Sequence, residues 1–311
     1  FWEPVSKTIS HLKIRGSYGL VGSDQFHKDA PHFLYFNKLN FDPNKDINEY
    51  HDKSFIYSTG MPGSEIVREG VKFETLAIQN AGWERVKKLN IGADISLFDQ
   101  VNITFDYFRD YRDRILMQRA SFPQILGYGG FTPWSNIGEV LNRGVELSIN
   151  WSKQFGKDWF VDFRGNFTFN RNEYKYADEP DFPYVWQTKT GKPLKTLTGY
   201  VADGLFSSQE EIDNWADQSQ LGGSDLRPGD IKYRDINGDG QITEQDQVML
   251  SPYAEIPNIQ YGFGLNLTYK KFDFGVFFNG SAKRKIMINE GFAPFQSGGG
   301  DGQSGETLPT N

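Results

Sequence analysis

The chain has no cysteine and only four histidines, His11, His27, His32 and His51. The first absence excludes a disulfide framework, thiolate ligation of a metal and a cysteine nucleophile. The histidines gather in the first strand-like segment and the stretch after it, without metal-ligand spacing, and read as surface residues. Long apolar runs are missing as well. Nowhere do about 18 apolar residues follow one another, which excludes a transmembrane helix. The opening Phe1-Trp2-Glu3-Pro4 has neither the basic nor the apolar region of a signal peptide. Cationic residues are outnumbered, 33 Lys and Arg against 40 Asp and Glu, and the net charge of -7 argues against a nucleic-acid surface.

Aromatic residues and glycine are abundant instead. Phe, Tyr and Trp make up 15% of the 311 residues, with 33 Gly beside them. The apolar residues form no helical stripes; they alternate. Leu12, Ile14, Gly16, Tyr18 and Leu20 share one face while Lys13, Arg15, Ser17 and Gly19 take the other, which is the period of a β-strand. The same pattern returns at Leu89 to Leu97, Val101 to Tyr107, Val145 to Trp151, Trp159 to Phe169, Ile259 to Tyr269 and Phe272 to Phe278. Seven strands are therefore expected, in an all-β fold.

Their connections separate two β architectures. Short breaks at 98–100, 152–158 and 270–271 interleave with long ones at about 21–85, 117–136 and 171–257, so tight turns fall on one rim and long loops on the other. Evenly short loops would have suggested a sandwich. Each alternating segment has roughly the length that a tilted strand needs to cross a bilayer. Aromatics also bracket the tight turns, with Phe98 at one, Trp151 and Trp159 at another, and Tyr269 and Phe272 at the third. The expected fold is thus a portion of a large antiparallel transmembrane β-barrel, residues 1–311 supplying about seven strands. A soluble β-sandwich shares the alternation, and periodicity alone leaves both open.

The long stretch 171–257 carries the one motif with ligand chemistry, Asp235-Ile-Asn-Gly-Asp-Gly-Gln-Ile-Thr-Glu-Gln-Asp246. Asp235, Asn237 and Asp239 stand at positions 1, 3 and 5 of an EF-hand-like calcium loop. Gly240 takes the sharp turn at position 6, and Gln241 offers its backbone carbonyl at position 7. Position 12 departs from the pattern, with Asp246 in place of the usual bidentate Glu. Breakers on both sides, Arg227-Pro-Gly-Asp230 and Ser251-Pro252, leave no room for a flanking helix pair. The expected role of Ca2+ is therefore a static brace rather than a sensor's switch.

Four blocks resemble, in order, successive segments of one family. They are Leu12-Lys-Ile-Arg-Gly-Ser-Tyr-Gly-Leu-Val-Gly22; Ser135-Asn-Ile-Gly-Glu-Val-Leu-Asn-Arg-Gly-Val-Glu-Leu147; Gly199-Tyr200 with Gly204-Leu-Phe-Ser-Ser-Gln-Glu-Glu-Ile212; and Gly229-Asp-Ile-Lys-Tyr-Arg-Asp-Ile-Asn-Gly-Asp-Gly240. Phe272 to Gly280 resembles the strand that follows. The family is the SusC/RagA group of TonB-linked outer-membrane transporters of Bacteroidetes. The resemblance implies a roughly 22-stranded barrel closed by a plug. It also implies energy from TonB-ExbB-ExbD through the plug, and a SusD-like surface lipoprotein as lid. The cargo implied is an oligosaccharide, with peptides the alternative. Plug and TonB box are expected outside this chain, which reads as an internal part of the barrel; Pro309-Thr310-Asn311 is not expected to be a terminal strand.

Short turns face the periplasm in such barrels, so 171–257 is expected to be an extracellular loop of about 85 residues with the calcium loop 235–246 inside it. Loop aromatics, Tyr128, Phe131, Trp134, Tyr184, Trp186 and Trp215, are candidates for stacking on substrate rings, or for anchoring the loops to each other or to the lipoprotein. No catalytic constellation emerges, and an enzyme is not expected. The acidic pairs Asp178-Glu179 and Glu210-Glu211 read as solvated loop charge, and Ser297 to Gly305 as a flexible loop rather than a phosphate loop. The alternative to a transporter segment is a secreted, soluble, β-rich glycan-binding module with a structural calcium site.

Overall fold

The structure, a computed structural model, describes residues 8–24, 33, 35–40, 56–59, 66–69, 72–78, 81–121, 133–221 and 226–285. His27, His32, His51, Tyr128, Phe131 and the segments 1–4, 297–305 and 309–311 lie outside the described residues. The strands are β1 (Ile9–Ser23), β2 (Lys38–Asn40), β3 (Ile56–Thr59), β4 (Ile66–Glu69), β5 (Lys72–Thr75), β6 (Glu84–Leu97), β7 (Val101–Gln118), β8 (Trp134–Phe155), β9 (Trp159–Tyr176), β10 (Thr198–Gly199), β11 (Ala202–Leu205), β12 (Ile231–Tyr233), β13 (Val248–Met249), β14 (Ile259–Tyr269) and β15 (Phe272–Ala282). Seven of them form one sheet in the order β1-β6-β7-β8-β9-β14-β15. Every neighbouring pair is antiparallel. The remaining strands pair two by two within the long connections, β2 with β5, β3 with β4, β10 with β13 and β11 with β12.

Register turns the seven separate alternations into one surface. Ile14 lies opposite Ala93, Ala93 opposite Phe105, Phe105 opposite Leu147, Leu147 opposite Phe167, and Phe167 opposite Tyr261. The adjoining row runs Leu12, Ile95, Ile103, Ile149, Gly165, Phe263 and Phe278. Because partners in a ladder share a face, the apolar positions of all seven strands fall on the same side, and a slip of one residue in any pair would break the surface. The opposite side is polar. There Arg15 bridges Asp94 at 3.1 Å and Asp106 at 2.9 Å, while Asp162 accepts from Arg164 and from Asn266, each at 3.2 Å.

No protein layer covers the apolar face among the described residues. Ile14 is 76% exposed and Phe272 77% exposed, far beyond the scattered exposure of a soluble surface. The buried apolar side chains sit elsewhere. Val86, Leu116, Trp134 and Leu141 lie toward the long-loop ends of the strands, and Phe206, Ile242 and Ala254 lie in the connection between β9 and β14. The sheet is open, with β1 and β15 each paired on one side only among the described residues. This is the all-β, antiparallel barrel portion that the alternation predicts.

Two boundaries differ from the sequence expectation. β8 spans 22 residues and β7 and β9 span 18 each, longer than a membrane crossing needs. Their long-loop ends, such as Glu139 to Arg143, keep the ladder while carrying polar groups on both faces, so apolar alternation does not mark them. The second tight turn is confined to 156–158 because β8 runs on to Phe155 and β9 starts at Trp159. Gly156 turns the chain there with φ of 62°, a left-handed conformation that glycine adopts without strain.

Leu147 lies mid-band on the apolar face, and Ser148 beside it on the polar face. In the full-length protein Leu147→Arg should lower unfolding free energy in lipid by about 2–4 kcal/mol. Ser148→Arg should stay within about 0.5 kcal/mol. Denaturant titration in vesicles checks the difference, and equal costs would contradict the assignment of faces.

Candidate functional site

The connection between β9 and β14 has a small core of its own. Its entry is pinned by buried Asp178, whose carboxylate accepts from Arg119 Nε at 2.9 Å and from Ser121 N and Oγ at 3.1 and 2.8 Å, tying it to the loop after β7. A short helix, α1 (Gln209–Asp213), is capped by Ser208. Glu211 on that helix receives Ser207 N and Oγ, each at 2.8 Å, and the ammonium of Lys232. Lys232 together with these N–H and O–H donors holds the Glu211 carboxyl down at about 2. Arg234 grips Asp203 with its Nε at 3.0 Å from both oxygens, and keeps that carboxyl below its usual range.

Within this frame residues 235–246 fold as a tight acidic loop between β12 and β13. Asp235 Oδ1 accepts from Gly238 N at 2.7 Å and Oδ2 from Gly240 N at 2.8 Å. Both glycines take positive φ, 78° and 81°, which a side chain would oppose. Asn237 Oδ1 accepts from Asp239 N at 3.0 Å, and Asp239 Oδ1 from Gln241 N at 2.8 Å. The side-chain oxygens of positions 1, 3 and 5 thus each close an Asx-type turn on the next residues.

Asp246 is fully buried. Its Oδ1 accepts from Ile236 N at 2.9 Å and Asn237 N at 3.3 Å, and its Oδ2 from Thr243 N at 2.8 Å. It stands as the third residue of a capping box on Thr243, at the start of a single 3-10 turn, Glu244–Asp246. No helix flanks the loop on either side, as the breakers predict. Ile242, also fully buried, donates its N–H to Asp217 O at 2.7 Å, while Asp217 N donates to Gly240 O at 2.9 Å. These two bonds stitch the loop to the segment after α1. A cleft of ≈ 1580 Å³ opens beside them, lined by Tyr200, Ile212, Asp217, Tyr233, Gln241 and Gln245 among others.

The donor chemistry fits a hard cation such as Ca2+. Asp235, Asn237 and Asp239 offer oxygens from one turn, and each carboxylate oxygen keeps a lone pair beyond the N–H it accepts. Among the described residues no ion pair involves Asp235, Asp239, Glu244 or Asp246, so four carboxylates share a short loop without a cationic side chain. Three or more acidic side chains do not converge on one point among the described residues. Asp246 spends its oxygens on backbone N–H groups, which leaves the other positions as the accessible ligand set.

The aromatic candidates divide. Trp134 is buried and packs with Leu116 and Ile78, which removes its ring from any ligand. Trp215 donates Nε1 to Tyr233 O at 2.8 Å, meets Phe206 edge-on, and has Lys232 Nζ 4.8 Å over its ring. It is an anchor of the loop core. Tyr184 and Trp186 stack with centroids 4.5 Å apart and planes 9° from parallel, and Trp186 Nε1 donates to Gln245 O at 2.8 Å, fastening the pair to the acidic loop. Asp217 and Ile242 were not among the expected site residues. A single apolar residue amid polar ones at position 8 of the motif was the available signal for the second.

A continuous apolar outer face, a polar inner face, tight turns on one rim and a braced long connection on the other define a segment of an outer-membrane β-barrel. The chain belongs to the TonB dependent receptor-like, beta-barrel family, whose model matches residues 55–285. It is 27% identical over 295 residues to TonB-dependent receptor P3 of Formosa agariphila, covering 91% of this chain and 26% of that protein. To TonB-dependent receptor SusC of Bacteroides thetaiotaomicron it is 25% identical over 277 residues, covering 86% of this chain and 24% of the relative. Among solved structures it is similar to the RagAB peptide transporter, with TM-score 0.57, 17% identity, and coverage of 92% of this chain and 28% of that one. The chain therefore spans about a quarter of the length of the curated relatives it matches.

Proposed function

We propose that this chain is part of a SusC-like importer that moves nutrient fragments across the outer membrane, drawing energy from TonB-ExbB-ExbD and working with a SusD-like lipoprotein as lid. The observation that carries the reading is the uncovered apolar face running in register across seven strands of a chain in this barrel family. A soluble glycan-binding module would need a second layer over that face, and among the described residues there is none. An import barrel needs no catalytic group, and the chain is read as non-enzymatic. Oligosaccharides are the proposed cargo, with peptides as the second class because one structural neighbour is a peptide transporter. Of the four aromatic candidates among the described residues, the half-buried Tyr184 and Trp186 remain available to cargo or lid.

The full-length protein should sediment with outer membranes, show heat-modifiable mobility, and bring a surface lipoprotein through affinity purification. Cells should lose uptake of labelled glycan fragments when the proton-motive force is collapsed. Recovery as a freely soluble monomer would sink the proposal; uptake of labelled peptides in place of glycans would reassign the cargo.

Ca2+ is proposed as the brace of the external loop, held by Asp235, Asn237, Asp239 and the Gln241 carbonyl, with the buried Asp246 at position 12 fixing the backbone beneath. The ion would supply charge neutralisation to a loop that has four carboxylates and, among the described residues, no paired cation. Chelation should raise proteolysis between residues 200 and 257 while the strands stay protected, and Asp235→Ala should reproduce the effect without chelator. Unchanged cleavage in both would refute a bound ion.

A further inference from the structure

At the long-loop end the apolar face stops on a row of like charges. Arg109 lies directly opposite Arg143, and Arg143 opposite Arg171, so three arginines stand in register across β7, β8 and β9 on the apolar side of the sheet. With strands about 4.8 Å apart, their Cα atoms fall within about 10 Å. Like charges opposite one another destabilise a ladder. All three side chains are exposed, and none makes an ion pair or hydrogen bond among the described residues. The nearest acids on this side are already engaged. Glu173, which also feels the charge of Arg143 and Arg171, forms its ion pair with Lys175, and Asp113 receives Arg85 and Lys87, the latter at 2.9 Å. Tyr111, in the row above, is bonded to Glu139. A fourth cation, Lys283, holds its Nζ 5.6 Å over the ring of Phe169, in the row just below Arg171.

Immediately below the arginines the face turns apolar again, with Ile91, Tyr107, Val145 and Phe169 in one row. At the opposite end it finishes at the rings of Phe155, Trp159, Tyr269 and Phe272 beside the tight turns. From Val145 to Phe155 the strand covers about 33 Å, which a tilt of about 40° reduces to about 25 Å, the height of the lipid-facing band of such barrels. The arginine row thus sits at the level of the headgroups of the leaflet on the long-loop side. A cationic row with no ion pair or hydrogen bond of its own among the described residues, above an apolar wall, is complementary to an amphiphile with an anionic head.

We propose that Arg109, Arg143, Arg171 and Lys283 bind the phosphate-bearing headgroup of an outer-leaflet lipid, whose acyl chains lie along Ile91, Tyr107, Val145 and Phe169. Guanidinium groups match phosphate in a two-pronged geometry, and three in a row satisfy an anion that no single side chain would hold. The bound phosphate relieves the repulsion within the row and fixes this sector of the barrel at a defined depth.

The test uses the full-length protein extracted from outer membranes in mild detergent, with retained lipid read by native mass spectrometry and phosphorus content. Wild type should keep a phosphorylated lipid. The triple variant Arg109→Gln, Arg143→Gln, Arg171→Gln should keep about tenfold less or lower still, whereas the triple Arg→Lys variant should keep most of it. Heat-modifiable mobility reports whether each variant is folded. Wild-type protein exchanged into the same lipid with its phosphates enzymatically removed should retain about tenfold less, a comparison that needs no variant. Undiminished retention by the folded Gln variant, or equal retention of the dephosphorylated lipid, would overturn the proposal. Displacement of the lipid by millimolar inorganic phosphate alone would overturn it in favour of a free-anion site.

Discussion

The apolar side of the seven-stranded sheet must be removed from water, and the described residues supply nothing to cover it. Every other feature follows from that constraint. Ladder pairing on both sides satisfies the backbone of the five inner strands, as a structure within hydrocarbon requires. Register aligns the apolar rows from Leu12 to Phe278, so the sheet exposes hydrocarbon on one side only. The polar side then faces the lumen, where pairs such as Arg15 with Asp94 and Asp106 link three successive strands. An Arg or Asp is tolerable there because water and partners share the same space.

The same division explains how the long connection between β9 and β14 is built. With its large apolar residues committed to lipid, the chain has little left for a conventional core between β9 and β14, and it uses a few buried groups instead. Phe206 and Ile242 supply the apolar centre, and Asp246 binds three backbone N–H groups from beneath. Trp186 and Trp215 use their indole N–H groups as ties to backbone carbonyls. A cation at the acidic loop would add a cross-link where the packing is thinnest.

Much of this was legible in the residues because β-alternation and turn length are local signals. Period-two patterning located all seven strands of the sheet, and the interleaving of short and long connections separated barrel from sandwich. The four family-like blocks and the matching barrel family agree over most of the chain. Strand ends were less legible, since Glu139 to Arg143 and Glu173 to Tyr176 pair without apolar alternation. The fate of Trp134 was hidden for a different reason: its burial against Leu116 and Ile78 depends on contacts between segments far apart in sequence. The arginine row is likewise a product of register, for Arg109, Arg143 and Arg171 become neighbours only once β7, β8 and β9 are aligned.

The orientation of the two faces is the central claim, and site-directed spin labelling tests it most directly. Labels placed singly along Val145 to Trp151 in the full-length protein, reconstituted in bilayers, should alternate with a period of two. Odd-numbered positions should be accessible to oxygen, which partitions into lipid, and even-numbered ones to a water-soluble paramagnetic reagent. Accessibility to the aqueous reagent at Leu147 and Ile149 equal to that at Ser148 would contradict the account.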